Sequence, residues 1–207
     1  MFRDRSDAGR ALAEELSRDY AAATDTIVLG IPRGGVIVAH EVASRLGLPL
    51  DVVIASKIGA PANPEYAIGA IDADGAVMAN PHAGYSAAEL EHLGRDAHIK
   101  IERRAELYRV GRPPLALEGK TAIIIDDGIA TGLTARAAVD YVRRHGADRV
   151  VLAVPIIAAD TATAMRGSLD DLVALEEPEV FYAVGQYYRH FDQTSDDEVL
   201  SALSATA

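Results

Sequence analysis

Three features of the sequence predict an α/β fold built on a mainly parallel sheet flanked by helices. Short apolar runs recur at residues 27–31, 52–55, 122–125, 150–154 and 172–175. Segments of helical periodicity separate most of them, which is the alternation of a parallel sheet between helix layers. The run Ala122 to Ile125 is apolar throughout, as in a strand covered on both faces. At 207 residues, with 49% hydrophobic and 25% charged side chains, the chain is expected to form a single domain, 1–207, with its core at residues 24–176.

The elements follow in order. After Ile27 to Ile31, the residues Val36, Ile37, Ala39, Val42, Ala43 and Leu46 form a helical stripe that stops at Gly47, a C′ glycine before Pro49. The second run, Val52 to Ala55, is read as a strand closed by Lys57. The next interval, 57–118, is too long for an ordinary crossover and is expected to overhang the site. Within it, Ala67 to Ile71 and Ala76 to Ala79 flank Asp74-Gly75 as a hairpin. Ser86 and Glu89 form a capping-box pattern, opening a helix with Leu90, Leu93, Ala97, Ile101 and Tyr108 on its apolar side. Arg103, Arg104 and Arg109 are expected on its solvated side, paired with Glu102 and Glu106. The third strand runs into Asp126-Asp127, and a helix over Thr134 to His145 stops at Gly146.

The chemistry gathers where strands end. Asp126 and Asp127 close a buried strand, and the small or hydroxylated stretch Gly128, Ile129, Ala130, Thr131, Gly132, Leu133 and Thr134 leads into a helix. Backbone N–H groups of such a turn converge on an anion, and the helix dipole adds positive potential. A phosphorylated sugar fits, its phosphate in the turn and its hydroxyls at the carboxylates. The same residues also fit a plain Asp-Asp-Gly turn with Thr134 near a helix start. A second strand-to-helix turn, Gly30-Ile31-Pro32-Arg33-Gly34-Gly35, pairs two glycines that admit an anion close to the backbone with a permanently charged guanidinium. Alone, it reads equally as a tight turn with an exposed Arg. Lys57, placed at the same sheet edge, is a candidate for the leaving anion or the nucleophile, or a snorkelling surface Lys.

The formal net charge of -11 argues against a nucleic-acid binder and favours small polar ligands. The six histidines show no metal-ligand spacing. With no cysteine, no apolar run long enough to span a bilayer, and Arg3, Asp4 and Arg5 breaking any signal-peptide pattern, a cytoplasmic protein with no membrane partner is expected.

Four apolar residues, two acids, then Gly-x-x-Thr-Gly-x-Thr resemble the signature by which type I phosphoribosyltransferases bind 5-phosphoribosyl 1-pyrophosphate (PRPP), and the resemblance extends over most of the chain. It implies that Asp126 and Asp127 hold the ribose hydroxyls, with Mg²⁺ bound to them directly or through water, and that the 128–134 turn cradles the 5′-phosphate. It makes Pro32, Arg33, Gly34 and Gly35 the pyrophosphate loop and Asp126, Asp127 and Arg33 catalytic, a set to which Lys57 is added on its position at the sheet edge alone. Asn63, Glu65 and Tyr66 begin the overhanging segment where the family's mobile loop closes on PRPP, although ordinary loop duty is the first reading of each. The segment 178–193 resembles the small hood that covers the base over the strand edge, putting Tyr182, Ala183, Val184 and Gly185 at the acceptor. The residues themselves fit a core or dimer contact as well. The implied activity is transfer of the phosphoribosyl group between pyrophosphate and a nitrogen nucleophile, a base-like planar acceptor, by a homodimer. One departure stands out: 6-oxopurine enzymes carry an acid in the phosphate turn where this chain has Ala130. A non-catalytic PRPP or nucleotide sensor on the same fold, and a phosphosugar hydrolase, are the other readings.

Overall fold

The computed structural model describes residues 1–113 and 115–206, without the side chain of Glu65, so the expectation for Glu65 lies outside the described residues. The chain runs α1 (Arg5–Tyr20), β1 (Thr26–Gly30), α2 (Gly34–Leu46), β2 (Leu50–Val52), β3 (Ala55–Ala60), β4 (Asn63–Asp72), β5 (Val77–Ala79) and α3 (Ala87–Tyr108). It continues β6 (Thr121–Ile125), α4 (Leu133–Arg144), β7 (Arg149–Ile156), α5 (Ala159–Arg166), β8 (Asp171–Glu176), a short 3₁₀ turn at Val184–Tyr187, and α6 (Asp196–Ser204). Five strands form a parallel sheet in the order β2-β1-β6-β7-β8, and three form a small antiparallel sheet, β3-β4-β5.

Both faces of the parallel sheet are covered, which is why its strands read as unbroken apolar runs. Along β1, Val28 faces a core shared with Leu12 and Leu16 of α1, Val36 and Val42 of α2, and Val199 and Leu203 of α6. Its neighbours Ile27 and Leu29 face the opposite core with Val139 and Val142 of α4 and Met165 of α5. Helices α1 and α6 were not anticipated. They lie outside residues 24–176 yet add buried Leu12, Leu16, Val199 and Leu203 to the first core.

Local signals located most other elements. Helix α2 ends on Gly47 in the left-handed region (φ 66°), and the capping box at the start of α3 forms with both Ser86–Glu89 hydrogen bonds in place. The hairpin turns at Asp72–Gly75, where the Asp72 carboxylate accepts the amides of Asp74 (3.0 Å) and Ala76 (3.1 Å). The other Asp72 oxygen takes Arg144 Nη2 of α4 at 2.6 Å, which ties the overhang to the main domain.

Two expectations are corrected. The run Val52 to Ala55 is not one strand: β2 stops at Val52 and Ala55 begins β3 of the other sheet. Lys57 therefore does not close the second strand but sits within β3 opposite Ala70. Arg109 does not sit on a solvated face paired with Glu102 or Glu106. It lies just past the end of α3, with Nη1 3.0 Å from the carboxylate of buried Asp51, which needs a cation there.

Candidate active site

β1 and β6 are neighbours, yet the strand following β1 lies on one side and the strand following β6 on the other. Their ends flank the switch point of an open α/β sheet, where a crevice opens for ligands. Both anion-binding turns predicted from the sequence leave from this crevice. The Ile31 amide donates to the Ile125 carbonyl at 2.8 Å, holding the turns together. The Pro32–Arg33 peptide is cis.

The turns meet at the acids. A Cβ placed on Gly34 would lie 1.9 Å from Asp127 Oδ2, and one on Gly35 would lie 2.8 Å from Asp126 Cα. Only glycine permits that approach.

The second turn is held from behind. The Ile129 amide donates to Ile156 (2.9 Å), the Ala158 amide to Ile129 (3.0 Å), and Thr161 Oγ1 to the Ala130 carbonyl at 2.6 Å. Gly132 takes φ 74° and lies against Thr161 and Met165 of α5. The first bond of α4 runs from the Arg136 amide to the Gly132 carbonyl, so the amides of Leu133, Thr134 and Ala135 begin the helix without an intrahelical acceptor. In front of the turn lies a cavity of about 450 Å³ lined by Lys57, Asp126, Asp127, the 128–135 backbone segment and Val184.

The carboxylates have different surroundings. Asp127 Oδ2 accepts Arg5 Nε at 2.7 Å, and its carbonyl accepts the Tyr188 hydroxyl at 2.6 Å. Asp126 Oδ1 accepts the Asp127 amide at 2.9 Å. Burial foremost, and then the charge of Asp127, push the Asp126 carboxyl well above the usual carboxylate range. Burial also raises Asp127, against the opposing pull of the Arg5 guanidinium. Arg5 is fixed by two further contacts: its Nη1 donates to the Asp192 carbonyl at 2.7 Å, and its guanidinium lies 4.0 Å over the Phe191 ring.

Known proteins decide the family. The model for the phosphoribosyl transferase domain matches residues 3–191. The chain belongs to that family. Two Mycobacterium tuberculosis proteins, named "Putative phosphoribosyl transferase" MT0597 and Rv0571c, are each 49% identical to it over 207 residues, 98% of this chain and 46% of theirs. The chain thus spans about half the length of these curated relatives. The crystal structure of TT1426 from Thermus thermophilus is 41% identical, with a TM-score of 0.82 over 100% of this chain and 99% of that one.

Within this phosphoribosyltransferase domain, Asp126, Asp127, the 128–134 turn, Lys57 and Val184 come together around one cavity. Val184 reaches it from the hood: a Cβ on Gly128 would lie 2.4 Å from Val184 Cγ1. Arg33 is not part of that lining among the described residues. It stands at the start of α2 with Nη1 3.9 Å from the Asp196 carboxylate. Tyr182 points to solvent, 85% exposed, while the hood's own aromatics stack as Phe181 on Tyr187 and Tyr188 on Phe191. Tyr66 is also exposed. Among the described residues, no group of three or more His, Asp or Glu side chains is placed to hold a metal. Among the same described residues, no helix is long and apolar enough to cross a membrane. Arg5 and Thr161, which hold the acid and the turn, belong to no motif that sequence reasoning singled out, whereas Tyr188 lies within the 178–193 segment but was not given its contact with the Asp127 carbonyl.

Proposed function

We propose that the site binds PRPP with Mg²⁺ and moves the 5-phosphoribosyl group between pyrophosphate and a nitrogen nucleophile. The observation that carries this is the contact of the two anion-receiving turns at the acid pair, with Gly34 against Asp127. PRPP bears phosphate groups at both ends of one ribose, and a site for it needs two such turns about one sugar's length apart.

The 5′-phosphate would lie against the amides of Leu133, Thr134 and Ala135, with the Thr131 and Thr134 hydroxyls beside it. The ribose hydroxyls would donate to Asp126 and Asp127, and the pyrophosphate would lie along Gly34, Gly35 and Arg33. Holding both ends fixes the anomeric carbon between leaving group and nucleophile, so positioning contributes much of the rate. As the C–O bond to pyrophosphate breaks, positive charge grows on the sugar and negative charge on the leaving oxygens. The buried carboxylates favour the first, and Arg33 with the oriented amides of the first turn favours the second. Lys57 lines the cavity, which supports a role for it on the pyrophosphate or the incoming nucleophile.

Mg²⁺ fits the donor set. Two carboxylates whose negative charge is disfavoured by burial, with one guanidinium paired to Asp127, leave charge that a cation would offset. Two protein carboxylates and several ligand oxygens are a usual shell for Mg²⁺, which when bound would neutralise the diphosphate. The acceptor is less defined. Ala130 offers the turn no proton-accepting group, and Val184 supplies an apolar edge suited to a planar base.

Calorimetry tests the reading. PRPP should bind only with Mg²⁺, and the double substitution Asp126→Asn/Asp127→Asn should abolish the signal; unchanged binding by that variant refutes the site. Pyrophosphate release with any of a panel of bases separates an enzyme from a PRPP sensor, and light scattering checks the expected homodimer.

A further inference from the structure

The end of α3 and the start of α6 close on the pyrophosphate turn through one side chain. Asp196, the first residue of α6, accepts the Tyr108 hydroxyl on Oδ1, and the same oxygen lies 3.9 Å from Arg33 Nη1. The transfer reaction proposed above gives Asp196 and Tyr108 no task.

The Asp196 carboxylate is held without help from Arg33. Tyr108 is only 2% exposed; burial foremost, and then its hydrogen bond to Asp196, push its hydroxyl up to about 12, so it remains a donor at neutral pH. Asp196 also follows Ser195 directly, whose capping box with Glu198 fixes the first turn of α6. Arg104, half-buried one turn before Tyr108, acts with its charge on the same hydroxyl, so a second cation lies in this corner.

Arg33, by contrast, is fixed at its backbone and loose at its tip. Its carbonyl accepts the Val36 amide at 3.1 Å, and the two glycines after it leave no room for a Cβ beside Asp127 and Asp126. The side chain is 24% exposed, and 3.9 Å lies beyond hydrogen-bond reach, so charge alone draws it to Asp196. That contact uses none of the guanidinium's donors. A diphosphate along Gly34 and Gly35 carries more charge than one carboxylate and can engage the fork in two parallel hydrogen bonds. It therefore takes Arg33 from Asp196, and the carboxylate stays behind on Tyr108.

We propose that Asp196 is a positioning residue for Arg33: it keeps the guanidinium beside the pyrophosphate turn by charge and yields it to the diphosphate end of the ligand. This role rests on the PRPP reading of the site. Because the carboxylate competes for Arg33, it weakens the hold on pyrophosphate. Ribose 5-phosphate, whose one phosphate belongs in the other turn, is indifferent to it.

Calorimetry with Mg²⁺–pyrophosphate and with ribose 5-phosphate reads the exchange. Asp196→Asn keeps an oxygen for the Tyr108 hydroxyl and removes the charge. Its affinity for Mg²⁺–pyrophosphate should rise about three- to fivefold, the scale of a partly exposed ion pair, with affinity for ribose 5-phosphate unchanged. Asp197→Asn removes the same formal charge from an exposed neighbour and should change pyrophosphate affinity by less than about twofold, because that charge is screened. In an Arg33→Gln background, Asp196→Asn should have no effect, since the cycle then lacks the coupled partner. A fall or no change in pyrophosphate affinity in Asp196→Asn overturns the role. So does a gain that Asp197→Asn reproduces, that survives Arg33→Gln, or that extends to ribose 5-phosphate. An unaltered protein that binds ribose 5-phosphate but not pyrophosphate overturns the role of Asp196 alone. One that binds neither refutes the transferase site, and the role falls with it.

Discussion

Gly34→Ala tests the juxtaposition on which the proposed site depends. The new methyl would lie 1.9 Å from Asp127 Oδ2, 2.7 Å from Asp127 Cγ and 2.6 Å from Arg5 Nε. These are side-chain atoms, so the clash can be relieved without unfolding the sheet, but only by moving the Asp127 carboxylate off the Arg5 guanidinium. That breaks a charge-assisted hydrogen bond worth roughly 1.5–3 kcal/mol. Alanine recovers at most about 1 kcal/mol through helix propensity at the start of α2. The net cost is about 1–2 kcal/mol, and at roughly 2–4 °C per kcal/mol for a domain of this size, Tm falls by about 2–8 °C. The effect on the ligand is larger than the effect on the fold, because the displaced carboxylate and the added methyl both occupy ribose and pyrophosphate space. Calorimetric affinity for Mg²⁺–PRPP should fall by more than about tenfold, or 1.4 kcal/mol. A variant with unaltered Tm and unaltered PRPP affinity would show that the turns are not in contact, and the reasoning fails.

Three further substitutions probe the same edge. Gly132→Ala forces a Cβ onto φ 74° and to within 2.8 Å of Thr161 Cγ2, so it should cost roughly 1–3 kcal/mol in chemical denaturation; a loss below about 0.5 kcal/mol counts against a rigid turn. Arg5→Gln leaves the Asp127 carboxylate without its guanidinium and should lower Tm well beyond the Arg18→Gln control, whose pair with Glu15 at 3.7 Å is solvent-exposed; equal melting of the two variants sinks this assignment. Asp126→Asn should raise Tm near neutral pH. A carboxyl held above its unfolded value favours the fold below the unfolded pKa and loses that contribution as pH rises through the folded pKa. The gain of the Asn variant should therefore shrink as pH is lowered toward about 4, the unperturbed Asp value; a gain independent of pH contradicts the shift.

What could be read from sequence was what depends on neighbours along the chain. The turn after Ile125, the helix ends at Gly47 and Gly146, the Asp74-Gly75 hairpin and the Ser86–Glu89 box each need only a few adjacent residues to satisfy their geometry. The Val52 to Ala55 run misled because β2 and β3 both end in buried positions, and burial hides the change of sheet between them. Arg109 misled because spacing on a helix does not reveal that the chain turns back toward buried Asp51. Arg5 was invisible for the same reason at greater range: its partner Asp127 lies 122 positions away. Tyr188 and Thr161 likewise act on backbone carbonyls of the turn through tertiary contacts that no local spacing encodes.

Arg5 also gives the two acids different work on the proposed reading. Two carboxylates on adjacent residues of a mostly buried edge are mutually unfavourable, and one guanidinium can offset only one of them. Arg5 reaches Asp127, whereas the hydrogen bond described for Asp126 comes from the Asp127 amide, a neutral donor. The unmet negative charge therefore lies chiefly at Asp126, whose carboxyl is pushed up by burial and by the charge of Asp127. A cation or a pair of ribose hydroxyls relieves that charge more at Asp126 than at Asp127. It follows that Asp126→Asn should weaken Mg²⁺-dependent PRPP binding more than Asp127→Asn, while Asp127→Asn should disturb stability more because it leaves Arg5 unpaired. Affinity and Tm measured on both single variants decide the point, and the reverse order in both quantities would assign the cation to Asp127.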